Sequence, residues 1–164
     1  PDYLYGNLCD TMAKYYQGKF KPKNPGKYMG DPTNIIYRSG WEFKLMRFLD
    51  SHKNVLQWGS EELIIPYRSP IDGKIHRYYT DFVVKQINNN GDKETVVIEV
   101  KPKAQTLPPD MSKKFTGTGQ LRKAFLNEVK TWGVNQAKWK AAQEYCDDKG
   151  WKFQIMTEDQ LGIK

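Results

Sequence analysis

Cysteine and histidine are almost missing: the 164 residues hold two of each, Cys9 and Cys146, His52 and His76, all far apart. Without paired spacing, a histidine–cysteine zinc site and a disulfide framework lack their material. Ser-His-Asp and Cys-His arrangements show no local signature either. The sparing use of cysteine fits a reducing, intracellular setting. No apolar run approaches bilayer-spanning length, so no membrane partner is expected. The first residues, Pro1-Asp2-Tyr3-Leu4, lack the basic-then-apolar pattern of a signal peptide, and no Met precedes them. Acid is also short: 19 acidic residues against 26 basic ones leave a net charge of +7, which favours a polyanionic partner, chiefly nucleic acid. Aromatics are plentiful, with ten Tyr, seven Phe and five Trp, and that argues for an ordered core. The length suits one compact domain.

Residues 1 to about 18 have weak periodicity, with a short helix over Leu8–Tyr16. The run Lys19-Phe20-Lys21-Pro22-Lys23-Asn24-Pro25-Gly26-Lys27-Tyr28 contains no acid. Its prolines and Gly26 break regular structure. Lys19, Lys21 and Lys23, interleaved with Phe20 and Tyr28, suit a phosphate backbone, or form a solvated basic arm. Ser39 then predicts an N-cap, with Glu42 three residues later as in a capping box. The helix that follows, Trp41–Asp50, carries a stripe of Trp41, Leu45, Phe48 and Leu49.

Three strands are predicted next, over Ser60–Tyr67, Ile75–Gln86 and Glu94–Lys101, joined by turns at Ser69–Lys74 and Asn88–Asp92 as a meander. Pro102 ends the third strand. Lys113-Lys114-Phe115-Thr116-Gly117-Thr118-Gly119 is a basic, glycine-containing loop that either cradles phosphate or simply connects. One helix is expected from about Gln120 to Lys130 and another over Asn135–Lys149, with Gly150 at its end. Asn135 and Lys138 share a face of the latter, as on any plain helix surface. Trp151–Thr157 is a final strand. This order predicts an α/β (α+β) fold with a mixed sheet. Its third and last strands lie parallel, with the helices as the crossover. Residues 1–40 are an N-terminal segment and basic arm, and residues 41–164 a single domain.

One stretch carries chemistry. In Thr95-Val96-Val97-Ile98-Glu99-Val100-Lys101, alternation puts Val97, Glu99 and Lys101 on one face and Val96, Ile98 and Val100 on the other. A charge pair at the end of a buried strand is costly unless used. Asp81 lies on the strand before it. The pattern fits a metal-dependent phosphodiesterase site, or carboxylates on an exposed face neutralised by Lys101.

Asp81, Glu99-Val100-Lys101 and Glu42 together resemble the PD-(D/E)xK nuclease superfamily. The strict Pro-Asp dipeptide is absent, since Thr80 precedes Asp81. Longer runs resemble the head completion nucleases of T-even-type tailed phages. These are Lys19–Tyr28, Tyr37–Glu42, Ile65-Pro66-Tyr67, Ser69–Lys74, His76–Phe82, Ile98–Lys103 and Asn135–Trp139, which cover most of the chain from about residue 19. The resemblance implies a restriction-endonuclease-like core in the order helix-strand-strand-strand-helix-strand. It implies a DNA endonuclease acting when a filled head is finished. DNA would be its substrate, phage head or portal proteins its partners, and host cytoplasm or the virion its place.

Magnesium, with manganese able to substitute, is the expected cofactor, because it takes oxygen ligands. Asp81 and Glu99 would supply carboxylates and Val100 its carbonyl. Lys101 would orient or deprotonate the attacking water. Glu42 would be a cap or a further metal ligand. Arg38 is either a contact to the scissile phosphate or a surface cation. Lys113, Lys114 and, through the resemblance, Lys138 are further DNA contacts. Two alternatives remain: another DNA-processing nuclease on the same fold, such as a junction resolvase or homing-type enzyme, and a non-catalytic DNA-binding virion protein.

Overall fold

The computed structural model describes residues 17–163; the helix expected over Leu8–Tyr16 lies outside them. Strands β1 (Gly18–Phe20) and β2 (Ile35–Tyr37) form an antiparallel pair, followed by helix α1 (Gly40–Ser51). Strands β3 (Val55–Ser60), β4 (Ile64–Arg68), β5 (Ile75–Tyr79), β6 (Phe82–Ile87) and β7 (Lys93–Val100) follow. Helix α2 (Lys123–Lys149), strand β8 (Lys152–Met156) and the short helix α3 (Glu158–Leu161) complete the chain. The main sheet has the order β3-β6-β7-β8, antiparallel except for the parallel β7–β8 pair, while β4 and β5 make a separate two-stranded ribbon.

The mixed α+β sheet with a parallel last pair agrees with the sequence, but its strands differ from the predicted meander. Val55–Ser60 opens the sheet where none was expected. Its apolar alternation is weak, and a register shift between Val55 and Gln57 blurs it further. The expected strand Ile75–Gln86 is broken at Thr80–Asp81 into β5 and β6. Thr80 is fully buried there, and its N–H and hydroxyl both donate to the carbonyl of Leu63, which turns the chain out of the ribbon and into the sheet.

The two helices expected around Gly133 are one 27-residue helix. Trp132 and Trp139 pack edge to face across the junction, holding both halves together. Gly150, with φ of 68°, ends α2 as expected, in the left-handed region that glycine enters without strain.

The sheet separates two apolar layers. On one face Val96 and Ile98 pack with Val84, Trp58, Phe82 and α1. On the other, Val97 and Val83 meet Cys146 of α2. Helix α1 uses Leu45, Met46 and Leu49, whereas Phe48, placed on the predicted stripe, is 52% exposed. Phe20, Tyr28, Ile35 and Tyr37 belong to the same core as α1, so residue 40 is not a break in packing. The rings of Phe20 and Tyr28 therefore serve the core instead of stacking on bases: Trp58 meets both edge to face.

Candidate active site

Four strand termini meet at one end of the main sheet, where β3 finishes, β6 starts, and β7 and β8 finish. Phe82 pairs with Ile98, so continuing the register by two residues would place Thr80 opposite Val100. The turn at Thr80–Asp81 stops that pairing. Instead, the Asp81 carboxylate accepts the Val100 N–H at 2.7 Å. The break in the strand thus swings Asp81 against the segment that carries Glu99 and Lys101. Burial raises the Asp81 carboxyl well above its ordinary range, and the negative charges of Glu99 and Glu42 add to this. The Val100 N–H and Lys101 oppose the rise without cancelling it.

Glu99 is 4% exposed and points to the α2 side, with Val97, as alternation predicts. One of its oxygens lies 2.9 Å from the Lys101 ammonium, and the other accepts the hydroxyl of Tyr78. A buried carboxylate is tolerated when it has such partners. Tyr78 is itself buried, and its phenol is raised above the ordinary value by burial and by Glu99. Lys138, expected at phosphate, lies over the rings of Tyr78 and Tyr67, 5.5 and 5.8 Å from their centroids. It therefore stands one side chain behind Glu99.

Ser39 caps α1 by accepting the Glu42 N–H at 3.1 Å, as the sequence predicts. The Glu42 carboxylate does not close the box on the Ser39 N–H; it accepts the Arg38 N–H at 2.8 Å. Burial holds its carboxyl above the usual range, and the charge of Glu61 contributes. Arg38 is an ion-paired side chain: Nε and Nη2 each donate to Glu61 at 3.1 Å. Glu61 has φ of 56°, a strained value for a non-glycine residue, and its N–H donates to the Asp81 carbonyl at 3.2 Å.

The remaining expected DNA contacts spread over the surface. Lys19, Lys21 and Lys23 are exposed. Lys23 lies at the C-terminal end of α1, where its N–H binds the Asp50 carboxylate, so the helix length separates it from Glu42. Lys113 and Lys114 belong to the loop between β7 and α2; Lys113 is 3.9 Å from Asp110, and Lys114 lies over the Phe115 ring.

Sequence reasoning missed Glu61, Tyr78 and Asp50 in these roles. Only Tyr78 has a trace in the sequence: alternation along the expected strand Ile75–Gln86 puts it on the face opposite Asp81. The oxygen donors of Asp81, Glu99, Glu42 and the Val100 carbonyl are chemically suited to a hard divalent cation. Among the described residues, however, no group of three or more His, Cys, Asp or Glu side chains is drawn together closely enough to hold an ion. The Lys101 ammonium and the Tyr78 hydroxyl occupy the oxygens of Glu99 instead.

Residues 52–158 match the family model described as the TnsA-like endonuclease N-terminal domain. The chain is also 43% identical over 146 residues to the head completion nuclease of Enterobacteria phage T4, an alignment covering 89% of this chain and 93% of the relative. The matched span holds Asp81, Glu99 and Lys101 together with the sheet end that joins them. With most of its length inside the endonuclease model and a nuclease relative aligned nearly end to end, this chain belongs to the TnsA-like endonucleases and, among them, groups with the phage head completion nucleases.

Proposed function

We propose that this endonuclease hydrolyses DNA phosphodiester bonds with a divalent cation, magnesium first and manganese as a substitute, held by Asp81 and Glu99. The observation that carries this reading is the turn at Thr80–Asp81, which places an Asp81 carboxyl with raised pKa against Glu99 and Lys101. A cation held by both carboxylates would relieve the repulsion that Glu99 imposes on the Asp81 carboxylate. When bound, such an ion acts as a Lewis acid on phosphoryl oxygen and lowers the pKa of water. The Val100 carbonyl offers a further oxygen ligand, and Glu42 one more from the first turn of α1.

Lys101 has the remaining part. Its ammonium now pairs with Glu99; with Glu99 committed to a cation, the ammonium is free to orient the attacking water or meet charge on the phosphoryl oxygens. The exposed Lys19, Lys21 and Lys23, together with Lys113 and Lys114, hold the phosphate backbone, and Lys138 and Arg38 act closer to the carboxylates. The likeness to a head completion nuclease supports action when a filled phage head is finished, with head or portal proteins as partners, in the host cytoplasm and in the virion.

The test is cleavage of plasmid, linear and branched DNA with magnesium, manganese or chelator. Cutting is expected with either ion and none with chelator; full activity in chelator overturns the reading. Preference for branched over linear DNA would favour a resolvase-like enzyme. Glu42→Gln retains an acceptor for the Arg38 N–H and removes a charge that burial disfavours, so its melting temperature should not fall below the wild type's. Its cleavage rate should nonetheless fall about tenfold, a loss of roughly 1.4 kcal/mol in transition-state stabilisation. A variant that cuts normally would leave Glu42 only its structural tie to the Arg38 N–H.

A further inference from the structure

The ribbon β4–β5 stands outside the main sheet, and its two faces differ. Ile65, Tyr67 and Tyr78 face inward and pack against α2 through Ala142. The register pairs Ile64 with Tyr79, Pro66 with Arg77, and Arg68 with Ile75, and all six are exposed. This outward face contains no acid. Arg77 has no hydrogen-bond or ion-pair partner among the described residues, while Arg68 donates to the Gly73 carbonyl at 2.6 Å across the hairpin. Asp72, at the tip, lies 2.9 Å from the His76 ring nitrogen. The ribbon joins the sheet at Tyr79-Thr80-Asp81, so its base lies beside the carboxylates.

We infer that the outward face of this ribbon is a binding surface for duplex DNA, laid into a groove so that the strand beside it reaches Asp81 and Glu99. This rests on the endonuclease reading above. A two-stranded ribbon is of a size that the major groove, about 12 Å wide, admits. Five residues per strand reach roughly 17 Å along it. A face with two guanidiniums and no carboxylate complements a polyanion. Exposed isoleucines suit thymine methyl groups or sugars. They would equally suit a protein, but the unpaired Arg77 and the continuity with Asp81 favour the nucleic acid.

The experiment measures equilibrium binding of the full chain to a short duplex and to the corresponding single strand, in chelator, over a range of salt. For Arg77→Ala combined with Arg68→Ala, duplex affinity should fall about tenfold and the salt slope should lessen by about two. Single-strand affinity should change much less. Arg77→Lys alone keeps the charge and should keep the salt slope. A photo-crosslinking side chain at Ile75, which is 60% exposed, should capture duplex DNA. Where the wild type cuts DNA, unchanged duplex affinity and slope in the double variant overturns the ribbon proposal, as does crosslinking at Ile75 only to protein. A wild type that neither binds nor cuts DNA overturns the endonuclease reading itself.

Discussion

Asp81→Asn should abolish cleavage and make the protein more stable. The amide oxygen still accepts the Val100 N–H, so the turn at Thr80–Asp81 keeps its main tie. What disappears is a buried charge facing Glu99 and Glu42. The Asp81 pKa is raised in the folded state. Its contribution to stability is therefore complete below the unfolded value, about 3.9, and is lost as pH rises through the folded value. At neutral pH, above the unfolded value, holding this carboxyl beside Glu99 and Glu42 works against folding, and replacing it removes that opposition. The melting temperature should rise by about 2–4 °C for each kcal/mol relieved, with the gain shrinking as pH is lowered.

Activity should move the other way, by at least about a thousandfold, because a metal-holding carboxylate supplies several kcal/mol in the transition state. Magnesium should raise the wild-type melting temperature through linkage and have far less effect on the variant. Glu99→Gln is the informative contrast. It should be equally inactive but less stable, because the amide leaves the Lys101 ammonium without a counter-charge at 2.9 Å. Cleavage assays and melting curves with and without magnesium check all of this. An Asp81→Asn protein that cuts within tenfold of wild type would remove Asp81 from the chemistry.

The second large effect is on folding and lies at the other end of α1. Asp50→Ala should cost about 3 kcal/mol, measured by denaturant unfolding. Asp50 is 2% exposed, and its carboxylate accepts the N–H groups of Lys23 at 2.8 Å and Asn24 at 3.2 Å. The Asn24 amide returns a bond to the Asp50 carbonyl at 2.9 Å. Alanine would leave those backbone donors unpaired and release the link that holds the basic segment to the helix. Asp50→Asn, which keeps one acceptor, should lose roughly half as much. At saturating DNA, cleavage per folded molecule should be unchanged in both, since Asp50 stands at the far end of the helix from Glu42. A neutral Asp50→Ala would mean that the basic segment is held by Phe20 and Tyr28 alone.

Asp50 also illustrates what a sequence hides. An acid in the last turn of a helix opposes the helix dipole and has no local reason to be there. Its partners, 26 and 27 residues away, become visible only after the chain folds back. Glu61 is similar: its strained backbone and its pairing with Arg38 arise from the tight exit of β3 beside Asp81. The strand Val55–Ser60 escapes a sequence reading because its reason to be a strand is its long-range pairing with β6. Phe48 failed because Met46, on the opposite flank of the Leu45 and Leu49 stripe, enters the core in its place.

Local chemistry was legible where one residue type answers one local demand. Ser39 caps α1, Gly150 ends α2, and alternation in β7 separates Val97 and Glu99 from Val96 and Ile98. The sequence by itself determined the resemblance to endonucleases, the basic surplus and the parallel closure of β7 on β8, because these rest on residue identity, alternation and element order. The tertiary structure alone decided that the Asp81 strand breaks and turns its carboxylate onto Val100, that Tyr78 binds Glu99, and that an arginine-bearing ribbon stands beside them. Each depends on which backbone groups meet across the fold, and no local pattern encodes that meeting.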